Sequence, residues 1–284
     1  MNQNYDASGK ADMSGIYNRT DPVPYFETLG TLGYCIPQEA KGTVRALINA
    51  LRKIRRRPET SLLDIGCSYG VNAALLKYDM TFEDLREHYT SMADIPRDGM
   101  LREDAQFFSD PYDPELEVIG MDTAHRALRY AIDAGLVDGG TTVNLEEDDC
   151  ELTPAHRKLL SRADLILSTG CFGYVTNRTL DRLLECGQDN HPWMCHTVLR
   201  MFDFTDAAEA LAAQGYVTEK LDRLTPQRRF VDENERKQVL ANLEELGVDS
   251  ADLEAEGWYY AQLFVSRPVQ DARDMPLPSL LANP

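Results

Sequence analysis

The stretch Asp64-Ile65-Gly66-Cys67-Ser68-Tyr69-Gly70, DIGCSYG, decides how the chain is read. It completes the apolar run Ser61–Ile65, SLLDI. A short apolar run that meets an acid and then small residues at alternate positions reads as a buried strand entering a tight turn. Glycines let main chain approach a ligand closely, and the helix start after the turn offers free N–H groups. Such a turn suits a ligand that lies against bare backbone with a carboxylate at hand.

Working outward, the strand-then-helix pattern repeats. LEVIGMD (116–122), TTVNL (141–145), ADLILST (163–169) and WMCHTVLRMF (193–202) read as the next four strands, with amphipathic helices between them. YVTEKLD (216–222) reads as a sixth strand and WYYAQLFVS (258–266) as the last, with a helix over Glu233–Leu246 before it. Apolar strands alternating with helices predict a parallel sheet covered on both faces. Upstream, Ala40, Val44, Leu47, Ile48 and Leu51 recur at helical spacing, and Pro58 ends that segment. Residues 1–20 are polar with few apolar anchors and read as disordered or loosely docked. Residues 79–116 break the pattern with two charged, aromatic-rich helical pieces. The expected organisation is an N-terminal helical lid over 1–58, a core over 59–268 with insertions at 79–116 and 224–256, and a tail over 269–284.

The 284 residues carry a net charge of −18, which argues against a nucleic-acid partner, because phosphate binding is driven by Lys and Arg. No apolar run is long enough to span a bilayer, and the polar N-terminus lacks a signal core, so a cytoplasmic protein without a membrane partner is expected. The six cysteines are scattered without a CxxC pair, which fits reduced thiols and predicts no metal site.

A parallel sheet binds its ligand outside the carboxyl ends of its strands. Here those ends carry DIGCSYG, then Asp122, then the acidic run Glu146-Glu147-Asp148-Asp149, then Ser168-Thr169-Gly170-Cys171-Phe172-Gly173-Tyr174. An acid closing the second strand is placed to accept from both hydroxyls of a ribose. The constellation asks for an adenosine-containing ligand. GCSYG is not GxGxxG, which counts against a dinucleotide. DIGCSYG together with Asp122 resembles the class I S-adenosylmethionine-dependent methyltransferases, with Ser68 in place of the family's middle glycine. The resemblance runs over roughly residues 60–268. It implies a Rossmann-like α/β fold: a seven-stranded, mostly parallel sheet with an antiparallel last strand, helices on both faces, and added N-terminal and inserted lid elements.

The resemblance also implies the cofactor, S-adenosyl-L-methionine, with S-adenosyl-L-homocysteine as product. Asp64 would lie near the methionine amine, and the backbone of Gly66, Cys67, Ser68 and Gly70 along the methionyl part. Asp122 and Thr123 would sit at the ribose. Asp148 or Asp149 would accept from the adenine amino group, although a solvated loop or a helix cap is the plainer use of that pair. Thr169, Gly170 and Cys171 would form the floor near the methionine end.

The Asn- or Asp-Pro-Pro-Tyr signature of nucleic-acid methyltransferases is absent after the fourth strand, where TGCFGYVT stands. A small-molecule acceptor methylated on O or N is therefore expected, a metabolite or natural-product intermediate. Substrate contacts are expected from the added elements: Tyr17, Tyr25, Phe26, Tyr89, Tyr174 and Arg229, each with ordinary packing or a surface role as its alternative. No catalytic residue is assigned; Tyr174 and His88 are the candidates for touching or deprotonating an acceptor. Three rivals stand beside this reading: a cyclase-like use of the cofactor, an NAD-dependent oxidoreductase, and a non-catalytic partner subunit. The N-terminal segment has a homodimer contact as its second use.

Overall fold

A computed structural model describes residues 5, 6, 8–187 and 190–282. Seven strands form one sheet: β1 Thr60–Ile65, β2 Leu116–Met121, β3 Gly139–Thr141, β4 Leu165–Thr169, β5 Trp193–Leu199, β6 Tyr216–Arg229 and β7 Trp258–Pro268. Their order is β3-β2-β1-β4-β5-β7-β6. The first five pair in parallel, while β7 runs antiparallel to both β5 and β6. This is the sheet of the class I methyltransferase fold.

Every residue of β1 is buried, because helices cover both faces. Successive side chains of a strand point to opposite faces. Leu62 and Val118 accordingly enter one apolar core with the helices Ile36–Arg55, Val71–Lys77 and His125–Asp133. Leu63 and Ile119, their chain neighbours, enter the other with Pro154–Leu160, Asn177–Cys186 and Thr205–Ala213.

Three local readings change. The third strand lies at Gly139–Thr141, upstream of most of TTVNL, because Ile119 and Met121 of β2 pair with Gly139 and Thr141. Leu145 packs into the second core from the loop that follows. The sixth strand runs to Arg229, seven residues beyond YVTEKLD, so the 224–256 insertion begins as strand. It does so past two register shifts, and it tolerates Pro226 because β6 is the sheet edge, where a missing N–H breaks no outer ladder. The described part of residues 1–20 is docked rather than loose. The Tyr5 hydroxyl donates to Asp232 (2.7 Å), Ala11 N–H to Glu235 Oε1 (2.8 Å), and Arg19 N–H to the Tyr69 hydroxyl (2.9 Å). Residues 1–4 and 7, within that expectation, lie outside the described residues.

The 79–116 insertion does supply two helices, Phe82–Thr90 and Arg97–Phe107, the first opened by a Thr81–Asp84 capping box. Asp104 fastens them to the helix behind: its buried carboxylate takes His88 Nε2 and the Tyr130 hydroxyl, each at 2.7 Å. On the opposite flank, the fully buried Glu235 gathers five donors. These are both terminal nitrogens of Arg228 (2.7 and 3.0 Å), the Tyr259 hydroxyl (2.9 Å), and the N–H groups of Ala11 and Val231 (2.8 and 2.7 Å).

Removing one partner of a buried ion pair strands the other. Glu235→Ala is expected to lower unfolding free energy by about 3–5 kcal/mol in urea titrations. The Arg228→Met/Glu235→Leu double variant should lose clearly less, since no uncompensated charge stays buried.

Candidate functional site

The strand order reverses between β1 and β4, and the carboxyl ends of strands beside such a reversal leave a crevice. Two joined cavities fill it. The larger, about 600 Å³, lies over Gly66, Ser68, Asp122, Thr123 and the turn Thr169-Gly170-Cys171. Tyr17, Tyr25, Tyr34, Gln227 and Arg228 wall it, and residues 10–14 with Asp6 and Asn18 roof it. The smaller, about 320 Å³, continues from Gly66, Asp122, Thr123, Cys171 and Tyr174 into Ile65, Met121, Val143, Asn144, Leu145, Glu146, Val175 and Thr179. Both volumes fall within the range that holds small ligands.

The turn after β1 is shaped by what it must not touch. Gly66 has φ +71°, and a Cβ there would meet Cys171 Cβ at 3.2 Å. Gly170, at φ +76°, leaves room that a Cβ would close to 2.5 Å from the Gln227 amide. Both therefore need glycine twice over, for left-handed backbone and for space. Ser68, at φ +47°, adopts the same region without being glycine. Its N–H donates to Asp122 Oδ2 (2.7 Å), while Ala124 N–H holds Oδ1 (2.8 Å). Asp122 is thus fixed between the first two strand ends, with lone pairs left over toward both cavities. Burial raises its pKa, and those two amides moderate the rise.

Asp64 lies beneath this floor, fully buried. Asn72 donates to its Oδ1 (2.9 Å) and reaches Thr169 Oγ1 (3.0 Å), while Oδ2 is buried with no partner. Burial pushes its pKa up to about 7, helped by the Asp122 charge and opposed by Asn72. The Ser68 hydroxyl and Gln227 Oε1 are likewise buried and unpartnered. Buried polar atoms ordinarily find partners. Two orphans in the cavity lining and a third beneath its floor, beside bare glycines and a held carboxylate, fit a polar ligand with donors of its own.

The structure places the sequence-expected residues in three groups. Gly66, Ser68, Asp122, Thr123, Thr169, Gly170, Cys171, Tyr17, Tyr25 and Tyr174 line the cavities, and Asp64 underlies them. Cys67 and Gly70 support the turn: Cys67 is buried against Gly120, and Gly70 caps the helix Val71–Lys77 at φ +81°. The rest are elsewhere. Asp148 is 91 % exposed and paired with Arg178, and Asp149 is exposed. The loop turns so that Asn144, Leu145 and Glu146 reach the smaller cavity instead, and the Glu146 carboxylate is occupied by Thr176 and Thr179. Phe26 and Tyr89 stack on each other in the core, 4.8 Å apart. His88 is spent on Asp104 and stacked on Phe107. Arg229 lies over the Trp258 ring while its neighbour Arg228 lines the cavity, as strand alternation dictates.

Lys10, Asp6, Asn18, Tyr34, Asn72, Gln227 and Asn144 were not singled out from sequence. Only Gln227, beside two arginines on a strand edge, carried a signal of any kind. Among the described residues, no group of three or more His, Cys, Asp or Glu side chains could hold a metal ion, and no helix is long and apolar enough to cross a membrane.

No family model and no curated protein matches the chain. Solved structures similar to it include the magnesium protoporphyrin IX methyltransferase of Synechocystis with bound SAM, at 11 % identity over 80 % of this chain and 79 % of that one, TM-score 0.36. A plantazolicin methyltransferase in complex with SAH gives 11 % identity, 80 % and 84 % coverage, and TM-score 0.36. The precorrin-6y C5,15-methyltransferase of Geobacter metallireducens gives 10 %, 77 % and 84 %, and 0.34. At these values the strand order itself, not the likeness, is the ground for the fold.

A folded-state acid pKa near 7 means that the proton is favoured on folding. Stability from this group is present below pH about 4 and is lost as pH rises through about 7. In ligand-free urea titrations, wild type should weaken over that window relative to Asp64→Asn, whose midpoint should stay level in the same comparison.

Proposed function

We propose that this chain, whose sheet is that of the class I methyltransferases, transfers a methyl group from S-adenosyl-L-methionine to O or N of a small-molecule metabolite. The observation that carries the reading is Asp122, held by two amides at the end of β2 and shared by both cavities. The apolar walls Ile65, Met121, Val143 and Leu145 of the smaller cavity suit a purine, and Asn144 offers it an amide at the rim. Asp122 would accept from ribose hydroxyls. The bare turn at Gly66 and Ser68, with the unpartnered Asp64 and Gln227 oxygens, would take the zwitterionic amino-acid end. When bound, the cofactor supplies a methyl group on a sulfonium, an electrophile with a good leaving group.

The protein's part is then mostly to hold, align and keep dry. Tyr17, Tyr25 and Tyr34 exclude water from the larger cavity and present ring faces that attract cations. Tyr174, whose hydroxyl donates to Asp6, stands at the junction of the two cavities, where an acceptor would meet the cofactor. Asp148 and Asp149 have no place in this arrangement, and Asn144 with Leu145 takes the role at adenine. A net charge of −18 and a cavity of this size support a small acceptor over nucleic acid.

Calorimetric titration tests the reading. Wild type should bind S-adenosylmethionine and S-adenosylhomocysteine in the micromolar range, on the order of −8 kcal/mol, and NAD not detectably. Asp122→Ala should lose most of that affinity. Failure of well-folded protein to bind either ligand would sink the proposal, and binding of NAD alone would replace it with a dehydrogenase. A cationic ligand group near Asp64 would also lower its raised pKa. Binding at pH 6.5 should therefore release protons, read as a dependence of the enthalpy on buffer ionisation heat, and Asp64→Asn should abolish that dependence.

A further inference from the structure

We propose that the acceptor is an oxyanion, a carboxylate or a phosphate, and that its negative group is bound by Lys10 beneath the N-terminal segment. This rests on the methyltransferase reading of the same site.

Lys10 is only 8 % exposed, lines the larger cavity, and has no carboxylate within ion-pair distance among the described residues. Its Nζ rests over the Tyr174 ring, 4.9 Å from the centroid. The anions nearest to it are engaged. Asp6 takes the Ser8 hydroxyl, the Ser8 and Lys10 N–H groups and the Tyr174 hydroxyl, and Glu235 takes its five donors. The other cavity cation, Arg228, spends its charge on Glu235. Lys10 is thus the buried cation left without a counter-charge.

Magnitudes show that Tyr174 cannot account for it. A cation–π contact offsets only part of what burying an ammonium costs. Burial, reinforced by the Arg228 charge, accordingly holds the amine down to a pKa of about 8. A bound oxyanion supplies the counter-charge that Lys10 lacks.

Charge favours an anion at Lys10. Lys10 lies over Tyr174, on the loop after β4, and the charges that act on it are Arg228, Asp6 and Glu235. Asp122 lines the cavity just after β2, and Asp64 lies beneath its floor in β1. A ligand anion is therefore favoured at Lys10 rather than beside those two carboxylates.

The test uses the full chain, saturated with S-adenosylhomocysteine, and matched probes: benzoate beside benzyl alcohol, and phenyl phosphate beside phenol. Calorimetry should show at least one anion binding tenfold or more tighter than its neutral counterpart, and which anion does so separates carboxylate from phosphate. Lys10→Met should abolish that preference and Lys10→Arg should keep it. Lys10→Met should also raise the apo-protein Tm by roughly 2 °C, since it removes an uncompensated buried charge. Equal binding of neutral and anionic probes, or a preference that survives Lys10→Met, would overturn the proposal. A tenfold loss of S-adenosylhomocysteine affinity in Lys10→Met would do the same, by moving Lys10 to the cofactor. If wild type does not bind S-adenosylhomocysteine at all, the methyltransferase reading fails instead, and the same probe comparison on ligand-free protein still decides whether Lys10 selects anions.

Discussion

The Glu235 carboxylate is the constraint on which the roof of the site depends. Its donors come from three separate pieces of chain, namely residue 11, the end of β6 with Val231 just beyond it, and β7, while the carboxylate itself stands in the first turn of the helix Glu233–Glu245. Burial works against its charge, yet Arg228 and the N–H donors hold its pKa below the ordinary carboxylate value. Each donor alone contributes on the order of 1 kcal/mol, more for the charged one. Their convergence matters more than their sum, since a half-satisfied buried carboxylate would be worse than an apolar core. The N-terminal segment is held across the strand ends, at residue 11 by this carboxylate and on either side by Asp232 and Tyr69.

Floor and roof differ in construction. The floor is main chain: turns at Gly66 and Gly170 whose positions are fixed by the parallel sheet beneath, with Asp122 clamped by amides. The roof and walls are side chains, of the segment before β1 and of Gln227 and Arg228 at the far end of β6. Tyr25 packs edge-on against Tyr17 and Phe26 and at a tilt against Tyr69, which carries the aromatic layer from the first core into the cavity wall. A floor of backbone can keep one ligand while a wall of side chains changes another, which matches the separate roles given to the two cavities.

The same division explains what was legible in the sequence. Strand ends and glycine turns leave local marks, so DIGCSYG, Asp122 and the β4 turn could be read, and with them the sheet. Which acid of the run Glu146–Asp149 faces the cavity was not legible because the register of a loop is not periodic: Glu146 turns in and Asp148 turns out toward Arg178. His88 was a candidate base because nothing local announces Asp104, sixteen residues on. Arg228 and Arg229 are neighbours in sequence, and only the strand decides that one is walled in and the other lies on Trp258. Lys10 sat in a stretch whose polarity reads as loose, and its docking depends on partners in the last fifth of the chain.

That dependence fixes an order of events. The Ala11–Glu235 bond closes a loop of 224 residues. At the ribosome's pace of about 5–20 residues per second, residue 11 precedes its partner by roughly 10–45 s. The parallel strands β1 to β5 are all synthesised within that interval, before the carboxylate that receives Ala11 exists. The roof is therefore fastened at Glu235 only after the sheet it covers has been made.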